Sequence, residues 1–288
     1  VAKRGRKKGS PLEKTLILVM GFALGFVAAV LVLRYLPNMG PAPTPPPPSI
    51  EKGPPPEARG PVPAPRVAIV IDDMGGSLRK IREILDLDAP ITIAVLPHLR
   101  HSREVSRLAG RSGREVLLHL PMEPRNILRN HPGPGVLLTS MTGPDLRKTM
   151  EEDLDFVPEA VGVNNHMGSK FTADTAGMRE VFSVLRERGL FFVDSRTTSH
   201  TLGTRLAREA GVPRAERDVF LDNRRDATYI DGQIETLVRI AGKTGSAIAI
   251  GHPYPETLAA LRRALPGLRE RGIEVVPVSD LTRGDKNP

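Results

Sequence analysis

The chain has 288 residues, 40% of them apolar, with no cysteine and no tryptophan. That is enough apolar side chain for one sizeable core, and the missing cysteines exclude disulfides and thiolate metal sites. The formal charge of +8 does not call for a nucleic-acid partner, because residues 1–14 set six basic side chains against the single acid Glu13 and so carry +5 of it.

After this basic tail, residues 16–33 read LILVMGFALGFVAAVLVL, eighteen residues without a charge. At 1.5 Å per residue they reach about 27 Å, close to the hydrocarbon depth of a bilayer. Basic residues on its N-terminal side predict a single-pass signal anchor over 15–36. The tail would stay in the cytoplasm, the anchor in the inner (cytoplasmic) membrane, and the remainder in the periplasm. A cleaved signal peptide is the alternative, but the run is long for one and no clear A-x-A site follows. Residues 37–66 hold thirteen prolines. They read as an extended, semi-rigid spacer rather than as part of a core.

From 67 to 281 the pattern alternates between strands and helices. Apolar runs suited to buried strands occur at 67–71, 91–96, 115–118, 160–163, 190–193, 218–221, 247–250 and 273–278. Amphipathic stretches at 78–85, 145–156, 177–188, 229–241 and 256–271 separate most of them. Thr142, with Pro144 and Asp145 behind it, is a helix start, and Gly189, Gly211 and Gly272 fit helix ends. Continuous apolar strands alternating with helices imply a parallel sheet covered by helices, here a distorted (β/α)7–8 barrel. The polar tail 282–288 is expected to be disordered.

Polar residues cluster after the strands. The first strand runs into Asp72-Asp73, the third into His119, the fourth into Asn164-Asn165-His166, and the fifth into Asp194-Ser195-Arg196. The strand ending at Leu221 runs into Asp222-Asn223, and the next into Gly251-His252. In a parallel barrel these positions share the C-terminal rim, where remote side chains converge. Strand ends are polar in any protein, but exposure alone would give a mixture rich in Lys, Ser, Gly and Glu rather than acids and imidazoles. Two adjacent Asp with two or three His suit a divalent cation, Zn²⁺ by preference, held by one carboxylate and two imidazoles. The second Asp can then act as a base and a further His as an acid. Asn165, Arg196 and Asn223 are candidate substrate contacts. Arg196 could instead pair with Asp194, and Asp222 and Asn223 could cap the next helix.

The segments VAIVIDDMG, LLHLPMEP, VNNHMGSKFT, FFVDSRTT, DVFLDN and AIAIGHP, in this order, resemble the divergent polysaccharide deacetylases, over about residues 66–281. The resemblance implies a metal-dependent hydrolase that removes acetyl groups from an acetylated polysaccharide or oligosaccharide. By it, Asp72 resembles the general base, Asp73 the metal-binding acid, His119 a metal-binding histidine and His252 the general acid. Asp194 takes the place of an orienting acid. The family pattern has a second histidine four residues after the first, and that position is Glu123. The third ligand is therefore Glu123 or, preferably, His166. Two further readings stay open: a non-catalytic envelope module that binds glycan or a protein partner, and a phosphoesterase using the basic rim residues Arg125, Lys170 and Arg196.

Overall fold

The computed structural model describes residues 64–284 together with Val30 and Arg34. The expected basic tail and all of the anchor except those two residues lie outside the described residues, as does residue 37–63 of the spacer. No helix among the described residues is long and apolar enough to cross a membrane. Residues 64–284 belong to one compact unit, Gly60–Pro288.

Nine strands form one sheet: β1 (Arg66–Met74), β2 (Thr92–Val95), β3 (Val116–Met122), β4 (Ala160–Met167), β5 (Phe191–Asp194), β6 (Arg214–Glu216), β7 (Val219–Phe220), β8 (Ser246–Gly251) and β9 (Glu274–Val275). Within residues 64–284, seven helices accompany them: α1 (Leu78–Leu85), α2 (Ser102–Arg111), α3 (Gly143–Phe156), α4 (Thr175–Arg188), α5 (Gly203–Glu209), α6 (Ala227–Thr244) and α7 (Pro255–Glu270). The strand order is β6-β5-β4-β3-β2-β1-β8-β7, with β9 beside β1, and all the strand pairings are parallel. The two edge strands are consecutive in the chain. Residues 214–216 pair with β5, the Arg217 amide donates to the Asp194 carbonyl, and the Asp218 amide donates to the Ile248 carbonyl. Residues 219–220 then pair with β8. One extended segment thus joins the two sides of a curled sheet, consistent with the distorted β/α barrel expected from the sequence.

Strand side chains alternate between two apolar clusters, as the period of two requires. Val67, Ile69 and Ile71 of β1 pack with the helices, while Ala68 and Val70 join Leu117, Val193, Ile248 and Ile250 inside the curl. A short 3₁₀ turn, Val278–Leu281, closes the N-terminal end. The Val278 amide donates to Thr92 Oγ1 at the start of β2, and the Ser279 amide donates to Glu115 at the start of β3. With that end plugged, the interior opens at the C-terminal ends of the strands.

The sequence reading gave no range for α2 or for α5, whose end Gly211 nevertheless marked, left out the three-residue β6, and placed a strand over 273–278 where only Glu274–Val275 pairs. Helix ends follow their expected chemistry. Thr142 accepts a hydrogen bond from the Asp145 amide, and Gly189 ends α4 at φ 69°. Order extends past residue 281, since Arg283 and Arg214 exchange backbone hydrogen bonds.

Asp153, in the last turn of α3, is an outlier. Its Oδ1 lies 2.7 Å from His98 Nε2, and its buried Oδ2 has no hydrogen-bond partner. Burial first, then the nearby Glu152 charge, pushes its pKa up to about 8. A carboxyl whose pKa is raised on folding costs stability as pH climbs from its unfolded value, near 4, through the folded one. Between those limits the native state binds the extra proton. We therefore expect the Tm of Asp153→Asn to exceed wild type by a margin that widens from pH 5 to pH 9, measured by thermal denaturation at a series of pH values.

Candidate active site

The alternation that sorts the core also builds the site. Asp72 has the parity of Ala68 and Val70, His119 that of Leu117, Ser195 that of Val193, and His252 that of Ile248 and Ile250. Each therefore points into the curl, at the inward position after the apolar residues that line it. On β4, Val163 faces the helices, so Asn164 and His166 face inward.

Asp73 needs a device to join them, because a regular strand would send adjacent carboxylates to opposite faces. Three steps of β1 from Ile71 to Met74 oppose two steps of β2 from Ile93 to Val95, which marks a bulge. Asp73 sits in it with φ 56°. That left-handed backbone costs a non-glycine residue roughly 1–2 kcal/mol. It turns the second carboxylate back toward the first.

Three ligand atoms result. Asp73 Oδ1 lies 3.3 Å from His119 Nε2 and 3.1 Å from His166 Nδ1, and the two nitrogens are 3.1 Å apart. Among the described residues, Asp73, His119 and His166 form the one cluster able to hold a metal ion. Asp73 Oδ1 is buried and no hydrogen bond satisfies it.

Asn164, which the sequence reading passed over, sets the chemistry of this cluster. Its Nδ2 donates to Asp72 Oδ1 at 2.8 Å and to Ser195 Oγ at 3.3 Å. The amide oxygen must then face His119, whose Nδ1 lies 2.9 Å away and donates to it. This fixes the tautomer, leaving a lone pair on Nε2 directed at Asp73. With His166 in the tautomer that leaves Nδ1 unprotonated, lone pairs from three residues point at one another, an arrangement that a cation between them satisfies. Their separations match the edge of a tetrahedron around Zn²⁺, roughly 3.3 Å for bonds near 2 Å. The residues present therefore fit a divalent metal.

Protons compete for the same place. Burial lowers the pKa of His119, but the Asp72 and Asp73 charges outweigh it and raise it overall. For Asp73, burial works upward, yet the two imidazoles win and hold it well below the carboxylate range. Asp72, fully enclosed, is pushed up by burial against the pull of His119, His252 and Asn164.

His252 approaches from the far side of the curl, its Nε2 3.7 Å from Asp73 Oδ2. Asp222 orients it. One carboxylate oxygen takes the His252 Nδ1 proton at 2.9 Å, and the other accepts from the His252 amide and from Thr257 Oγ1. Burial lowers the His252 pKa, and the Asp222 hydrogen bond and neighbouring acids more than restore it. Phe220 and Tyr254 flank the ring, each with its centroid 5.4 Å away.

The structure brings Asp72, Asp73, His119, His166 and His252 together. Other expectations need correction. Asp194 has the parity of Phe192, faces the start of α5, and is occupied by Thr201 Oγ1 and the Arg196 amide. The acid in contact with His252 is Asp222 instead. Asn165 also faces outward. It is buried and ties the Ser195 amide to the Met167 carbonyl. Arg196 pairs with Glu216 at 2.8 Å rather than with Asp194 or the cleft. Asn223 lies exposed on the loop beyond Asp222. Glu123, the alternative third ligand, is already filled. Lys170 Nζ occupies one oxygen at 2.6 Å, and the Thr139 amide and hydroxyl occupy the other.

A parallel β/α protein with a carboxylate–imidazole cluster at its C-terminal mouth is the class that this geometry defines. The family model for divergent polysaccharide deacetylases matches residues 69–282, and the chain belongs to that family. It is 36% identical over 221 residues to an uncharacterized protein of Haemophilus influenzae, covering 77% of this chain and 78% of that one. The uncharacterized protein YibQ of Escherichia coli K12 is 39% identical over 209 residues, covering 72% of this chain and 65% of the relative. The crystal structure of the uncharacterized protein ATU2773 from Agrobacterium tumefaciens C58 superposes with a TM-score of 0.73 at 28% identity, over 76% of this chain and 90% of that one.

The metal assignment has a direct check by calorimetric titration of the full chain with Zn²⁺. His166→Ala should abolish tight binding. Glu123→Gln should leave affinity nearly intact while lowering Tm, because it loosens a loop clasp. Asn164→Ala should weaken binding by about 10–100-fold, the usual effect of losing a partner behind a metal ligand.

Proposed function

We propose that this protein is a metal-dependent hydrolase that removes acetyl groups from an envelope or extracellular carbohydrate. The observation that carries this reading is the pairing of an enclosed carboxylate and an oriented imidazole on opposite sides of one metal-ligand cluster. Asp73, His119 and His166 would hold the cation, with Zn²⁺ favoured by the mixed nitrogen and oxygen donor set. When bound, it would supply Lewis acidity to the acetyl carbonyl and acidify a water.

The chain's own groups divide the proton work. Asp72 Oδ1 is held by Asn164, and Oδ2, 3.6 Å from His119 Nε2, remains to take a proton from the attacking water. His252 keeps its Nδ1 proton on Asp222 and presents Nε2 toward the cluster, where it can protonate the departing amine or alcohol. Burial behind Phe220 and Tyr254 keeps bulk water from shortcutting that transfer. Support for a carbohydrate substrate comes from family membership. The phosphoesterase alternative loses two of its three cations, since Lys170 and Arg196 are committed to Glu123 and Glu216. For the location, the eighteen-residue apolar run and the prolines after it support a single-pass protein of the inner membrane with this domain in the periplasm.

Acetate release from acetylated glucosamine oligomers in the presence of Zn²⁺ or Co²⁺ tests the reaction. Wild type should turn over, and Asp72→Asn should lose on the order of 10²-fold or more. Equal release by the two proteins would sink the base assignment, and binding without turnover by metal-loaded wild type would favour a non-catalytic glycan module. A second check uses pH. The acid must be protonated to act, and Asp222 raises the pKa of His252. Activity should therefore fall as pH rises through that raised value, and Asp222→Asn should move the alkaline limb of the kcat profile to lower pH.

A further inference from the structure

Of the three rim cations that the sequence singles out, two are neutralised. Arg125 is not. Its backbone amide donates to Ser169 Oγ at 3.0 Å, and its guanidinium meets only His200 Nδ1, at 3.3 Å. Among the described residues it makes no ion pair with a carboxylate. Several surface arginines are laced to acids on neighbouring elements, as in Arg147 with Glu180 and Glu187, Arg188 with Glu151, Arg263 with Asp231 and Arg271 with Glu235, while others such as Arg129 carry no ion pair among the described residues but are not hydrogen-bonded to His200.

The pair stands immediately beyond the metal-ligand cluster. Ser169 lies three residues after His166, and Thr197 Oγ1 donates to the carbonyl of Met167, the residue following that ligand. Arg125 comes from the β3–α3 loop and His200 from the β5–α5 loop, so two loops meet over the end of β4. Because His200 Nδ1 accepts from Arg125 and lies 3.3 Å from Ser199 Oγ, the imidazole proton sits on Nε2. The remaining guanidinium N–H groups and this Nε2–H form a fork of donors with one permanent positive charge. A single positive charge and planar donors match a monovalent, planar carboxylate.

Resting on the carbohydrate hydrolase reading, we infer that Arg125 and His200 form a subsite for a carboxylate on the sugar chain, so that the substrate is an acidic rather than a neutral acetylated saccharide. The carboxylate belongs to a sugar adjoining the one whose acetyl group meets Asp72 and His252. Arg125 is then a specificity-determining residue.

The experiment compares acetylated oligosaccharides bearing a carboxylate with the same compounds reduced to the neutral alcohol, using the zinc-loaded full chain. Wild type should show a KM about five- to tenfold lower for the acidic compound, as expected for one charge-assisted contact at a partly solvated rim. Arg125→Gln and His200→Ala should collapse that ratio, and Arg125→Lys should restore part of it. Arg129→Gln, an exposed arginine further along the same loop, should keep it. A ratio near one in wild type, or one that survives Arg125→Gln, overturns the subsite. If no compound is turned over, the hydrolase reading fails separately, and calorimetric binding of the acidic and neutral oligosaccharides to zinc-loaded Asp72→Asn and to Asp72→Asn/Arg125→Gln still decides the subsite. Tighter binding of a sulfated analogue than of the carboxylated one overturns the assignment of the anion.

Discussion

A buried amide holds this site together. Asn164 commits both of its polar atoms to buried titratable neighbours, donating to Asp72 and accepting from His119. Either neighbour would be unstable in so enclosed a place without such a partner, because an unsatisfied buried polar group costs about 1–3 kcal/mol and a charge costs more. The same two hydrogen bonds give each group its chemical role. One carboxylate oxygen is pinned so that the other is free, and one imidazole nitrogen is protonated so that the other carries a lone pair. Asp222 repeats the arrangement for His252 on the opposite side. The proposed reaction thus depends on two buried acceptors that never touch the substrate.

The fold makes this affordable by closing one end of the curl and leaving the other open. The 3₁₀ turn at Val278–Leu281 plugs the N-terminal end, with its amides satisfied by Thr92 and Glu115. Apolar side chains fill the middle, and the polar groups take the next inward position on the strands that contribute to the site. The departure from the family pattern also has a structural basis. Four residues past His119 the chain has already left β3, and Glu123 there ties the loop through Thr139 and Lys170. The second nitrogen instead comes from β4, whose register sets His166 opposite Pro121 and close to His119.

Much of the architecture was legible in the residues. The apolar runs marked the longer strands, the capping residues marked the helix ends, and the acids and imidazoles after the strands marked the mouth. The three-residue β6 escaped, being too brief for a periodic signal, and α5 showed only its end, at Gly211. The displacements of Asp194 and Asn165 share one cause. Asp194 and Asn165 end strands just as Asp72 and Asn164 do, but they carry the opposite parity. In a strand buried on both faces, apolar residues occupy every position, so the sequence gives no sign of which parity faces inward.

What the linear chain settled is the set of groups: which acids, imidazoles and amides follow the strands, that strands alternate with helices, and that no thiolate is present. Side-chain chemistry and local periodicity need no partner to be read. Which of those groups meet was settled by packing. The bulge that turns Asp73 toward Asp72, the pairing of β4 with β3 that supplies His166, and the capture of Glu123, Lys170 and Arg196 by other partners all depend on contacts between residues distant in the chain. Their free energies come from neighbours that a linear pattern does not specify.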